Sequence, residues 1–162
     1  MKATKDHIDV IHHLAHKIWP TAYGDILSKT QLQYMLEKFY NYSSLQNQLE
    51  TLKHSFILVK NENEFVAFAS YSSQIKSKGV FRLNKLYVLP SEQGKHVGKQ
   101  MLDHIIDEIK KEAATSIQLN VNRFNKAIHF YKKQGFEIVR EENIDIGEGY
   151  LMNDWIMEKK IW

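Results

Sequence analysis

Apolar residues recur three and four apart through the first third of the chain, and short alternating runs replace them near His54. The early pattern predicts a helix near Asp6–Trp19, a loop over Pro20–Leu27, and helices near Ser28–Tyr40 and Ser43–Lys53, with serines placed as N-caps. Beyond His54, strands are predicted at Ser55–Lys60 and Phe65–Ser73, joined by an Asn61-Glu62-Asn63-Glu64 turn, and at Val80–Leu89, Ser116–Asn120, Phe136–Ile144 and Leu151–Glu158. Between the third and fourth strands, Val97, Met101, Leu102, Ile105, Ile106 and Ile109 share one face of a helix, with Lys99, Asp103, Asp107, Glu108 and Lys110 mostly opposite. The fold class is therefore α/β in the α+β sense, a sheet with flanking helices.

The most informative junction is where the third strand meets that helix. Leu83, Leu86, Tyr87, Val88 and Leu89 form an apolar strand run that stops at Pro90, and Gln93-Gly94-Lys95-His96-Val97-Gly98-Lys99 comes after it. A glycine-bearing loop entering a helix presents unpaired amides and the positive end of the helix dipole, so this is a phosphate cradle in outline. Lys95 and Lys99 add charge. Neither common nucleotide pattern fits: Gly94 and Gly98 are one residue too close for a Walker loop, Gln100 replaces its hydroxyl, and a dinucleotide loop needs a third glycine.

A second block lies downstream, Ile117-Gln118-Leu119-Asn120-Val121-Asn122-Arg123-Phe124-Asn125 and then Lys126 to Val139. It reads as a strand, a helix capped by Asn125, Gly135 just past the helix end, and another strand. Together the two blocks resemble the GCN5-related N-acetyltransferases. The first is similar to their acyl-CoA loop, Gln/Arg-x-x-Gly-x-Gly/Ala, with His96 where the family usually has its first motif glycine. The second is similar to Asn-x-x-Ala-x-x-Phe-Tyr-x-x-x-Gly-Phe through Asn125, Ala127, Phe130, Tyr131, Gly135 and Phe136, with Ala127 two rather than three positions after Asn125.

The resemblance implies a mostly antiparallel mixed sheet in one domain over residues 1–162. It also implies a splay between the family's fourth and fifth strands, here those carrying Leu86–Leu89 and Ile117–Asn120. It implies direct transfer of acetyl from acetyl-CoA to an amine. The pantetheine arm would add to the sheet through backbone groups of Tyr87 and Leu89, and Gln93–Lys99 would hold the pyrophosphate, with Asn120 and Asn125 also in the coenzyme site. The Val88 amide would face the thioester oxygen, and Tyr131 would donate a hydrogen bond or proton to the leaving sulfur. The ending Gly147-Glu148-Gly149-Tyr150-Leu151-Met152-Asn153-Asp154-Trp155-Ile156-Met157 resembles a branch that includes bacterial polyamine acetyltransferases of the PaiA type.

Composition narrows this little. At 162 residues and 43% hydrophobic the chain suits one domain, and the absence of cysteine excludes disulfides, thiolate metal sites and a cysteine nucleophile. A net charge of +3, from 22 basic and 19 acidic residues without a basic block, gives nucleic-acid binding little support. With no apolar run behind the first charges and none of about 18 residues elsewhere, the reading is cytoplasmic, neither exported nor membrane-spanning. The oligomeric state is left open by the sequence; the resemblance allows a homodimer, to which an exposed C-terminal strand ending Ile161-Trp162 could contribute.

The amine side is open. An alkylammonium of pKa ~10.4 is only about one part in ~2,500 neutral at pH 7, a penalty of ~4.6 kcal/mol, so its proton must leave either through ordered water or to a base. Many family members carry a glutamate where this chain has Leu83-Asn84-Lys85. Asp145, Glu148, Asp154, Glu37 and Asp25 remain as candidates, and Trp19, Tyr23, Tyr34 and Tyr150 as aromatic groups able to receive a cation. His12 and His16 lie four apart on a predicted helix, but no glutamate succeeds the first and no third ligand is evident, so no metal is expected. Three readings stand: an amine acetyltransferase, a non-catalytic acyl-CoA sensor on the same fold, and an enzyme for another phosphorylated ligand.

Overall fold

The computed structural model describes residues 1–161. A 3-10 turn at Lys5–His7 leads into α1 (Ile8–Tyr23), then α2 (Lys29–Tyr40), α3 (Tyr42–Gln46) and a π turn at Asn47–Thr51. Strands β1 (Ser55–Asn61), β2 (Glu64–Ser73) and β3 (Val80–Val88) come next. After them come α4 (Val97–Lys110), β4 (Ser116–Asn122), α5 (Ala127–Lys133), β5 (Glu137–Gly147) and β6 (Tyr150–Lys160). The strands form a mixed sheet in the order β1-β2-β3-β4-β6-β5, antiparallel at β1/β2, β4/β6 and β5/β6 and parallel at β3/β4. The β3/β4 register runs from Val80↔Ser116 to Leu83↔Leu119, although β3 continues to Val88 and β4 to Asn122.

Two compact units can be distinguished along this chain: Met1–Ser72 with Lys85–Ile105, and Ser73–Asn84 with the described chain from Ile106 onward. In the first, α1 and α2 bury Ile8, Ile11, Leu14, Ile18, Met35 and Leu36, and β1 and β2 bury Phe56, Leu58, Val66 and Phe68. The Trp19 ring meets those of Tyr23 at 4.6 Å, Tyr40 at 5.4 Å and Tyr87 at 5.8 Å, an aromatic cluster at favourable separations. In the second, β4 alternates buried Ile117, Leu119 and Val121 with half-buried Gln118, Asn120 and Asn122, while β5 is mostly exposed.

Three sequence expectations are corrected here. The loop expected from Pro20 begins later, because α1 runs through Pro20 to Tyr23. The proline costs one backbone hydrogen bond, yet the Tyr23 ring packs on Trp19 and its hydroxyl hydrogen-bonds that of Tyr87 at 2.9 Å. The helix expected over Ser43–Lys53 starts at Tyr42 under Asn41, whose Oδ1 accepts from the Ser44 amide at 2.8 Å, and then widens into the π turn closed by Leu52 N–H to Asn47 O at 2.9 Å. Ile161 is buried and donates its amide to Thr115 O, so it offers no exposed edge; Trp162 lies outside the described residues.

Candidate functional site

The loop between β3 and α4 is built by two left-handed residues. Gly94 has φ +84° and His96 φ 63°, so the histidine does adopt the conformation a glycine would hold more cheaply. A Cβ on Gly94 would meet nothing within 4 Å. After Gln93, whose amide donates to Pro90 O, the amides from Gly94 through Lys99 make no hydrogen bond among the described residues; the next to do so is Gln100, to His96 O. Successive free N–H groups at a helix start form an anion cradle. The α4 face behind them is firmly seated, with Met101, Leu102, Ile105 and Ile109 buried. The two lysines do less than expected: Lys95 pairs with Glu92 at 3.4 Å and Lys99 with Asp103 one turn along the helix. Both pairs are exposed enough to be weak and exchangeable.

The Leu89 amide donates to Val66 O of β2 at 2.9 Å, and its carbonyl accepts from Glu92. Both backbone groups of Leu89 are thus engaged within the protein. The Tyr87 side chain joins the aromatic cluster, 5.5 Å from the Phe68 ring.

Beside that cluster lies a charge that sequence reasoning missed. Lys85 Nζ donates to Gln48 Oε1 at 2.7 Å and sits over the rings of Tyr40 at 5.4 Å and Phe56 at 5.6 Å. Burial lowers its pKa to about 8. His54, with its Nδ1 buried and unpartnered, is lowered to about 4 by burial and then by Lys85. Gln48 is held by Phe39 O and Ser44 Oγ, both accepting from its Nε2. The sequence signal was faint: a lysine at the strand position where related enzymes carry an acid, with an aromatic residue two places on.

In the second unit, Asn120 on β4 donates to Asp154 Oδ2 on β6 at 3.3 Å, and its own Oδ1 is buried without a partner. The expected Asn125 cap is corrected: the helix begins at Ala127, its N-cap position falls to Lys126 without a side-chain cap bond, and Asn125 Oδ1 accepts from Ala127 N–H at 2.9 Å in the turn before it. Tyr131 is buried on α5, with ring centroids 5.3 Å from Phe130 and 5.6 Å from Phe136, and Gly135 takes φ +92° after the helix. Of the five carboxylates considered, Asp145 accepts from the Gly147 amide, Glu148 occupies the hairpin tip, and Glu37 accepts from Gln33 on an exposed face. Asp25 is exposed as well. Asp154 alone is buried, and burial raises its pKa against the lowering effects of Asn120 and Arg82. The histidines of α1 are occupied structurally, His12 with Tyr40 O at 2.6 Å and His16 with His12 O at 2.8 Å. Among the described residues no group of three or more His, Asp or Glu side chains is arranged to hold a metal, and no helix is long and apolar enough to cross a membrane.

Known proteins bear on this arrangement. The chain is 24% identical over 164 residues to the spermidine N(1)-acetyltransferase of Thermoplasma acidophilum, covering 98% of this chain and 94% of that one. It is 28% identical over 97 residues to the peptidyl-lysine N-acetyltransferase YjaB of Salmonella typhimurium, a match to 59% of either protein's length. Its fold superposes on a PaiA N-acetyltransferase of Thermoplasma acidophilum crystallised with coenzyme A, with TM-score 0.83 and 23% identity over 99% of this chain and 96% of that one. The profile described as "Acetyltransferase (GNAT) family" matches residues 10–136, and the chain therefore belongs to the GNAT acetyltransferase family.

Proposed function

We propose that the protein transfers the acetyl group of acetyl-CoA directly to the primary amine of a small acceptor. The observation that carries this is the run of free amides from Gly94 through Lys99 in the family's coenzyme loop. These amides take the pyrophosphate, and the backbone at the end of β3, from Leu86 to Leu89, takes the pantetheine arm as an added strand. The Val88 N–H donates to the thioester oxygen as negative charge develops there. Tyr131 donates from its hydroxyl to the departing sulfur. A phenol of pKa ~10 is a weaker acid than a thiol of ~8.5, so its role is to steady the thiolate more than to hand over a proton.

The attacking amine must be neutral, and Asp154 is the carboxylate best prepared to accept its proton, because desolvation makes it more basic. A polyamine is the acceptor class that the similarity to a spermidine acetyltransferase and the PaiA-like C-terminal motif support. Free-thiol release from acetyl-CoA across polyamines, amino acids, aminoglycosides and peptides tests the proposal. Release that depends on Tyr131 and on one amine class is the expected result. Tight coenzyme binding with no release from any amine would move the function to a non-catalytic acyl-CoA sensor.

A further inference from the structure

The second unit contains a polar cavity of about 480 Å³ lined by Gln74, Ser77, Val80, Arg82, Gln118, Arg140 and Glu142. The strand register explains how these residues meet. Arg82 stands opposite Gln118, and Gln118 opposite Glu158. One row along, Asn120 stands opposite Ile156 and Ile156 opposite Arg140; in the next, Asn122 faces Asp154 and Asp154 faces Glu142. Residues directly opposite one another project from the same face, so these rows share one face, polar apart from the buried Ile156. The bulge between Ile138 and Arg140 is what sets Arg140 on that face, since without it the alternation of β5 would carry the side chain to the other side.

Both guanidinium groups are left over. Among the described residues, neither Arg82 nor Arg140 makes a hydrogen bond or an ion pair within 4 Å, whereas nearby Arg123 bonds Asn143 at 2.7 Å and pairs with Glu141 at 3.6 Å. Arg82 is half-buried, and burial lowers its pKa, with Glu142 raising it, Arg140 lowering it and Asp154 raising it. A half-buried planar group with five donors and no protein acceptor is suited to a planar anion. Two arginines against one glutamate give the cavity lining itself one positive charge in excess, enough for one carboxylate, with Glu158 and Asp154 further along the same rows.

We infer that this cavity is an acceptor subsite in which Arg82 and Arg140 bind a carboxylate carried by the amine substrate. The inference rests on the acetyl-transfer reading and, within it, favours amines that bear an acid group over polyamines. Gln118 lies two residues before Asn120 on β4, about 7 Å along the strand, so an amino acid or short acidic amine bound at the arginines extends toward the Asn120–Asp154 pair. Glu142 receives a second cation on such a molecule. Arg82 and Arg140 are here specificity-determining residues, without a part in the chemistry of transfer.

Amine pairs that differ only by a carboxylate test this: ornithine against putrescine, tyrosine against tyramine, histidine against histamine. The wild type should show at least about tenfold higher kcat/KM for the acid-bearing member, the size expected of a charge-assisted bidentate contact. Arg140→Gln, at an exposed position that tolerates the change, and Arg82→Gln should each bring that ratio most of the way to one, and Arg82→Lys should restore only part of it. Arg123→Gln, outside the cavity, should keep the ratio. Calorimetric binding of the same amines without acetyl-CoA separates the two layers of the argument. Carboxylate-dependent binding that Arg140→Gln abolishes upholds the subsite even if no acetyl is transferred. Transfer with equal kcat/KM within the pairs, unaltered by the arginine variants, overturns the subsite and leaves acetyl transfer standing. A greater gain from phosphoethanolamine over ethanolamine than from any carboxylate would overturn the assignment to carboxylates.

Discussion

In the first unit, the charged groups near the coenzyme loop are matched by neighbours or stripped of water: Lys95 by Glu92, Lys99 by Asp103, Lys85 by an aromatic enclosure and one glutamine. The second unit lays its charges in rows across a sheet face and leaves two guanidinium groups unmatched. An anion at the first site would be met by backbone N–H groups, whose number and direction are set by φ and ψ alone. At the second it would be met by long side chains, whose placement is set by register. The backbone site therefore tolerates changes of residue type, and the side-chain site does not.

The largest expected effect tests whether the second unit takes part in chemistry at all. Tyr131→Phe should lower turnover about a hundredfold while acetyl-CoA affinity, measured by calorimetry, stays within about threefold. Unchanged turnover would reduce Tyr131 to a core residue. Next, Lys85 tests the dry character of the first unit. Its folded pKa of about 8 lies below the ordinary 10.5, so between these values the unfolded chain binds more protons. Stability should therefore rise with pH through that window and be lowest below pH 8. Lys85→Met should remove about 2 kcal/mol of that rise in denaturant titrations at pH 7.5 and 10.5. An identical slope in the variant would show the lysine to be well solvated.

Smaller effects probe the loop. Gly94→Ala places a methyl in open space but at φ +84°, so its cost is conformational, about 1 kcal/mol in thermal melts, with a matching loss of coenzyme affinity. His96→Gly relieves a similar strain at φ 63° but loosens the unfolded chain, so the two nearly cancel and stability should move by less than about 0.5 kcal/mol. A drop well beyond that would mean the imidazole makes a contact of its own.

Much of the frame was legible because it depends on local chemistry. The strand stop at Pro90, the helical spacing of Met101, Leu102, Ile105 and Ile109 and the turn at Gly135 are each set within a few residues. The features that escaped reading depend on distant partners. Pro20 argues for a break, and only the packing of Tyr23 on Trp19 and its bond to Tyr87 overrides it. The direction of the Leu89 amide is known once Val66 is seen opposite. Lys85 and Arg82 each look like ordinary strand polar residues until Gln48 is brought to the one and Arg140 to the other. Asp154 is one of five equal carboxylates in the sequence, and burial alone distinguishes it.

The π turn at Asn47–Thr51 carries a consequence for chain length. Its i to i+5 closure holds one residue more than an α-helical turn of the same rise, and it immediately surrounds Gln48, the acceptor for Lys85. Deleting a single residue between Gln48 and Leu52 would let the segment wind as an ordinary helical turn of the same rise and leave the chain entering β1 in phase with Gln48. The register between that segment and β1, and with it the lysine's acceptor, is thus buffered against the loss of one residue there, whereas a further insertion would turn the chain entering β1 by about 100°.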